Sequence, residues 1–113
     1  MNLLGRLFGS RRHPVPQPSP ADLAAVDLDA MVAVARERGD TRSDDEVMAG
    51  LILGAEFMAS RHPDEGMRVR AAAASVVATR RLAARVGPDE AARLLAASEG
   101  PIDEQGELRR PPG

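Results

Sequence analysis

A single proline, Pro63, interrupts residues 43–86, and the residues around it leave few alternatives to two helices joined by a tight turn. Ser43-Asp44-Asp45-Glu46 has the form of a capping box. The Ser43 hydroxyl accepts from the Glu46 amide and the Glu46 carboxylate reaches back to the Ser43 amide, which satisfies donors that a helix start leaves open. Asp44 and Asp45 add negative charge at the positive end of the helix dipole. Val47, Met48, Leu51, Ala55, Met58 and Ala59 then recur at three- and four-residue steps, the period of one buried helical face. Pro63 disfavours helical backbone at His62, and Asp64 can cap the next helix. Residues 67–86 contain neither Pro nor Gly, include the strong helix-forming run Ala71 to Ala74, and stop at Gly87-Pro88. The prediction is an all-α fold: a small antiparallel bundle of three to four helices around a helical hairpin over 44–61 and 65–86.

The first helix of that hairpin carries a second apolar surface. Leu53 and Phe57 form an i, i+4 pair half a turn or more from the main stripe, with Gly50 and Gly54 between the two surfaces, and only Ala49, Glu56 and Ser60 mark a clearly non-bulky side. A helix apolar nearly all round is central in its fold or shared with another chain. Each glycine costs about 1 kcal/mol against Ala in an exposed helix, and a close helix crossing would be a compensating reason for both. The expectation is a homo-oligomer, in its simplest form a twofold dimer, with Gly50, Leu53, Gly54 and Phe57 at the interface. The competing arrangement is a monomer in which Leu94 and Leu95 of the last helix cover Leu53 and Phe57.

Little else in the chain supplies core. Hydrophobic residues are 43% of the 113, but much of that is Ala, and the only aromatic residues of the Phe, Tyr and Trp type are Phe8 and Phe57. A thin helical core of this length leaves only about 3–5 kcal/mol net, which self-association would supplement. Asp27 is an N-cap candidate for a short helix with the stripe Leu28, Met31, Val32 and Ala35, ending near Gly39. Pro88-Asp89-Glu90 opens a last helix with Ala91, Leu94, Leu95 and Ser98 inward.

At the start of the chain, Leu3, Leu4, Leu7 and Phe8 share one face if the segment is helical, while Arg6 points away and Arg11 and Arg12 come directly after. Pro14, Pro16, Pro18 and Pro20 then occupy alternate positions, as in an extended, semi-rigid linker. Residues 1–12 are read as a short amphipathic motif that docks on a protein partner or a membrane surface, 13–20 as a Pro-rich linker, 21–100 as the helical domain, and 101–113 as a disordered tail. The apolar N-terminal stretch is too short for a secretory signal and no stretch is long enough to span a bilayer, so a cytoplasmic protein is expected.

Charge is segregated along the chain. Residues 21–48 carry eight carboxylates against three arginines, and residues 61–85 carry six arginines against two carboxylates. Arg70, Arg81 and Arg85 fall on one helical stripe, because separations of eleven and four residues return to nearly the same face. Such a stripe is either a solvated face paired to the acidic first helix or a contact for phosphate, nucleic acid or an acidic partner. A formal net charge of −2 and the lack of an aromatic platform argue against nucleic acid as the main partner.

Catalytic constellations are missing. His13 lies in the Pro-rich stretch and His62 at a helix end, with no metal-ligand spacing between them and no Gly-x-Ser-x-Gly elbow or phosphate loop elsewhere. There is no Cys, so disulfides and thiolate chemistry are excluded. The sequence therefore predicts no enzyme and no cofactor, but a non-catalytic helical interaction module or adaptor. The alternative is a small nucleic-acid-binding regulator that uses the Arg stripe.

Overall fold

The break at Pro63 and the caps on either side of it appear where the sequence places them. The computed structural model describes residues 12–98, and those residues form five helices and no strand: α1 Pro20–Ala24, α2 Leu28–Glu37, α3 Asp44–Arg61, α4 Glu65–Val86 and α5 Pro88–Ser98. At the start of α3 the Glu46 amide donates to Ser43 Oγ at 3.2 Å and the Ser43 amide donates to Glu46 Oε1 at 3.3 Å, so the box closes in both directions. Asp27 accepts from the Ala30 amide at 3.0 Å and Asp64 from the Met67 amide at 2.9 Å, capping α2 and α4. Gly87, at φ +88°, ends α4 in a backbone region that side chains with a Cβ resist.

Helices α3 and α4 share the most extensive contact, and α4 touches every other helix. The main core gathers Leu28 of α2, Met48, Ala49 and Ile52 of α3, Ala78 and Leu82 of α4 and Ala91 of α5, with Val26, Met31, Val32, Val77, Val86, Leu94 and Leu95 packed around it. A second, smaller cluster joins Ala59, Ala71 and Ala72, with Met58 against it. All four alanines 71–74 are buried. Four successive helical residues point in four directions about 100° apart, so this stretch of α4 is enclosed all round, and only a methyl group fits at each position. The run that reads as helix propensity in the sequence is also buried along its whole length.

Of the predicted stripe of α3, Val47, Met48, Ala55 and Ala59 are buried, and the enclosed arc extends beyond it. Ile52 and Ala49 are fully buried, whereas Leu51 and Met58 are half-buried. Ser60 is buried too, its hydroxyl donating back to the Phe57 carbonyl at 3.2 Å. The physical reason is that α3 meets α4 on one side and α5 on another, so the enclosed arc is wide and centred nearer Ile52 than Leu51.

Two features of the N-terminal segment differ from expectation. Residues 12–19 are irregular, as the alternate prolines Pro14, Pro16 and Pro18 require, but they do not stand away from the body: the His13 amide donates to the Ser60 carbonyl at 2.7 Å, and Pro16 and Pro18 are half-buried. The segment then enters α1 through a second capping box, in which the Asp22 amide donates to Ser19 Oγ at 3.1 Å and the Ser19 amide to Asp22 Oδ2 at 2.8 Å. Helix α1 rests on α4 and Val26 joins the main core, so this segment passes from the last turn of α3 to the far core. The predicted docking motif, Leu3, Leu4, Leu7 and Phe8, and the predicted tail at 101–113 lie outside the described residues.

Candidate interaction surfaces

The first candidate surface is the side of α3 opposite its buried stripe. Leu53 and Phe57 are half-buried there, and among the described residues neither belongs to either core cluster. The two glycines beside them differ in surroundings. Among the described residues, a Cβ on Gly54 would meet nothing within 4 Å. A Cβ on Gly50 would come within 3.2 Å of the Arg42 guanidinium. The close approach at Gly50 is thus made by an arginine side chain from the preceding loop, rather than by the helix backbone expected from sequence.

That arginine is part of a local network that fixes the 38–43 loop. Arg42 donates to both carboxylate oxygens of Asp40, at 3.1 and 2.8 Å. Hydrogen bonds from the Arg42 side chain and amide hold the Asp40 carboxyl down at about 2. Arg36 closes the same loop from α2, donating to the Asp40 carbonyl at 2.9 Å, the Arg42 carbonyl at 2.5 Å and Asp44 Oδ1 at 2.5 Å. One planar guanidinium thereby satisfies three acceptors, a geometry a lysine could not reproduce. Sequence reading missed this role of Arg36 and Arg42. The signal available was a pair of arginines flanking Gly39-Asp40 in a short loop.

The second candidate surface is the arginine stripe of α4. Arg81 donates to Asp29 of α2 at 3.1 Å, and Arg85 donates to Asp45 of α3 at 2.8 Å. The stripe is thus partly spent on tying the acidic segment to α4. The two pairs differ in weight: the Asp29 side chain is 92% exposed and Asp45 only 29%, so solvent screens the first far more than the second. Between them lies an open cleft of about 140 Å³ floored by Val32 and Met48. Arg70 is exposed and sits eleven residues up the same helix, about 16 Å along the axis, so the three arginines do not converge on one ligand. Among the described residues no group of three or more His, Asp or Glu side chains stands close enough to share a metal ion, and no helix is long and apolar enough to cross a membrane. Comparison with protein-family models, with curated proteins and with solved structures returns no match.

Proposed function

We propose that this protein is a non-catalytic helical interaction module built on an antiparallel α3–α4 hairpin within a small bundle, and that its recognition surface is the second face of α3. The observation that carries this reading is the half-buried apolar pair Leu53 and Phe57, outside both core clusters, beside Gly54. Burying such side chains fully is worth about 1.5–3 kcal/mol each, and the glycine lets a partner backbone approach closely. A twofold contact is the least demanding use of the patch, because one self-complementary face serves both subunits. The module works as a homodimer or adaptor in the cytoplasm, and the N-terminal motif Leu3, Leu4, Leu7 and Phe8 is its second contact, an apolar plug for a partner groove or a membrane surface. Phosphate or nucleic-acid binding through Arg70, Arg81 and Arg85 is less well supported, since two of the three would first have to give up a carboxylate partner.

Sedimentation from micromolar to millimolar concentration tests the reading. A reversible, concentration-dependent dimer that is lost in Leu53→Glu with Phe57→Glu supports it. A chain that stays monomeric throughout, or a dimer that survives both substitutions, refutes it.

A further inference from the structure

We propose that residues 12–20 form a preformed polyproline II ridge that docks in the aromatic groove of a different protein, a groove lined by Tyr and Trp with a carboxylate at one end. This surface is separate from the α3 face and does not depend on it.

The conformation follows from the sequence. Each of Pro14, Pro16, Pro18 and Pro20 fixes its own φ at about −65°, and each bars the residue before it from the helical region. Those preceding residues are His13, Val15, Gln17 and Ser19, so every position from 13 to 19 is held in the extended, polyproline II part of backbone space. No residue from 12 to 19 enters a helix or strand, and Ser19, at the end of the run, has φ −79° and ψ 165°. Both ends are anchored. The His13 amide donates to the carbonyl of buried Ser60, and Ser19 closes the capping box of α1.

Three residues per turn sort the side chains of such a helix into three edges. Residues 13 and 16 share one edge and residues 15 and 18 another, and of these His13, Pro16 and Pro18 are half-buried against the body. The third edge, Pro14, Gln17 and Pro20, is exposed at all three positions, and Val15 beside it is 58% exposed. At about 3.1 Å per residue this edge is about 19 Å long. Attachment to the helices accounts for the half-buried side, but it gives no reason for an apolar side chain at Val15.

The chemistry of the ridge selects its partner. Proline rings and the Val15 side chain present apolar surface on which aromatic rings pack. Among the described residues the carbonyls of Pro14, Val15 and Gln17 accept no hydrogen bond, and a Trp indole N–H or a Tyr hydroxyl brings a donor together with the ring. Aromatic-lined grooves are the general means by which a polyproline II helix is read. Arg12 is exposed at the N-terminal end of the ridge and, among the described residues, pairs with no carboxylate, so the complementary groove is acidic there. The partner is not a second copy, because this sequence contains no Tyr or Trp. A backbone already ordered and tied at both ends loses little conformational entropy on docking, which favours this ridge over a free Pro-rich segment.

The test is a titration of the full chain into three purified probe domains that read polyproline II with aromatic grooves, of the SH3, WW and EVH1 types. Since the chain has no Trp, tryptophan emission belongs entirely to the probe. The expected result is a saturable change in that emission for at least one probe, weakened about tenfold or more by Val15→Asp with Gln17→Asp and to a smaller extent by Arg12→Glu. All three positions are exposed, and both variants are expected to melt with the parent. No response from any of the three probes, or a response that Val15→Asp with Gln17→Asp retains in full, overturns the proposal. Leu53→Glu with Phe57→Glu is expected to bind the probe as the parent does. Failure of the α3 reading therefore leaves this contact standing, and loss of this contact leaves self-association standing.

Discussion

Replacing Ile52 by Ala is the perturbation that most directly tests where the core of this protein lies. Ile52 is fully buried, and its neighbours in the main cluster include Ala49, Ala78 and Leu82. The substitution removes three buried carbons, about 2.4 kcal/mol at roughly 0.8 kcal/mol each. Alanine neighbours have no side chain that can swing into the space, so most of the cavity persists and places the total at about 3–4 kcal/mol, within the range of ~2–5 for such truncations. The half-buried Leu51 forfeits less: Leu51→Ala should cost about 1–1.5 kcal/mol, with little cavity. Against a net stability of about 5 kcal/mol for a small domain, the first variant is close to unfolding at room temperature and the second is not. Urea titration followed by circular dichroism measures both, and thermal melts should separate them by roughly 10–15 °C. A Leu51→Ala variant as damaged as Ile52→Ala would refute the placement of the stripe and return the core to the face that simple periodicity selects.

Local geometry sets two further outcomes. Asp40 is held at about 2 against an ordinary value of 3.8, so its contribution to stability is complete above about pH 4 and disappears as the pH falls toward 2; a carboxyl titration by NMR with a midpoint near 4 would contradict the Arg42 contact. Gly87→Ala should destabilise the protein by about 1 kcal/mol because φ is +88° there, and a melt that is unchanged would show that α4 can end without it.

What the sequence made legible was local. The capping box at Ser43, the caps at Asp27 and Asp64, the break at Pro63 and the stop at Gly87 depend on residues within four positions of one another, and each appears in the structure. The box at Ser19 was equally available, with Pro at the first helical position and Asp22 at the third, but the alternating prolines drew residues 13–20 into an extended reading. The phase of α3 was legible only in part: Val47, Met48, Ala55 and Ala59 are buried as the periodicity predicts, but Ile52 is enclosed where Leu51 was expected. In a helix apolar nearly all round, Leu51 and Ile52 differ by one step of about 100°, and only the positions of α4 and α5 choose between them. The arginine stripe was visible as a pattern, and the charge tally pointed to acidic partners, but which carboxylates lay opposite depended on contacts spanning 52 and 40 residues. Gly50 was read for backbone approach, whereas the side chain that lies on it comes from a loop whose path periodicity does not encode.

The enclosed alanines of α4 bear on how such a sequence can drift over generations. At residues 71–74 every direction around the helix is already filled. A larger side chain at any of the four cannot be relieved by rolling the helix, because a roll that frees one position crowds the next. Exchanges to Gly or Ser fit the space, at the expense of helix propensity, and gains of even one or two methylenes do not. Most of the surface of this protein can therefore vary widely while this one turn stays small, and lineages descended from it should be easiest to align on four short side chains that perform no chemistry at all.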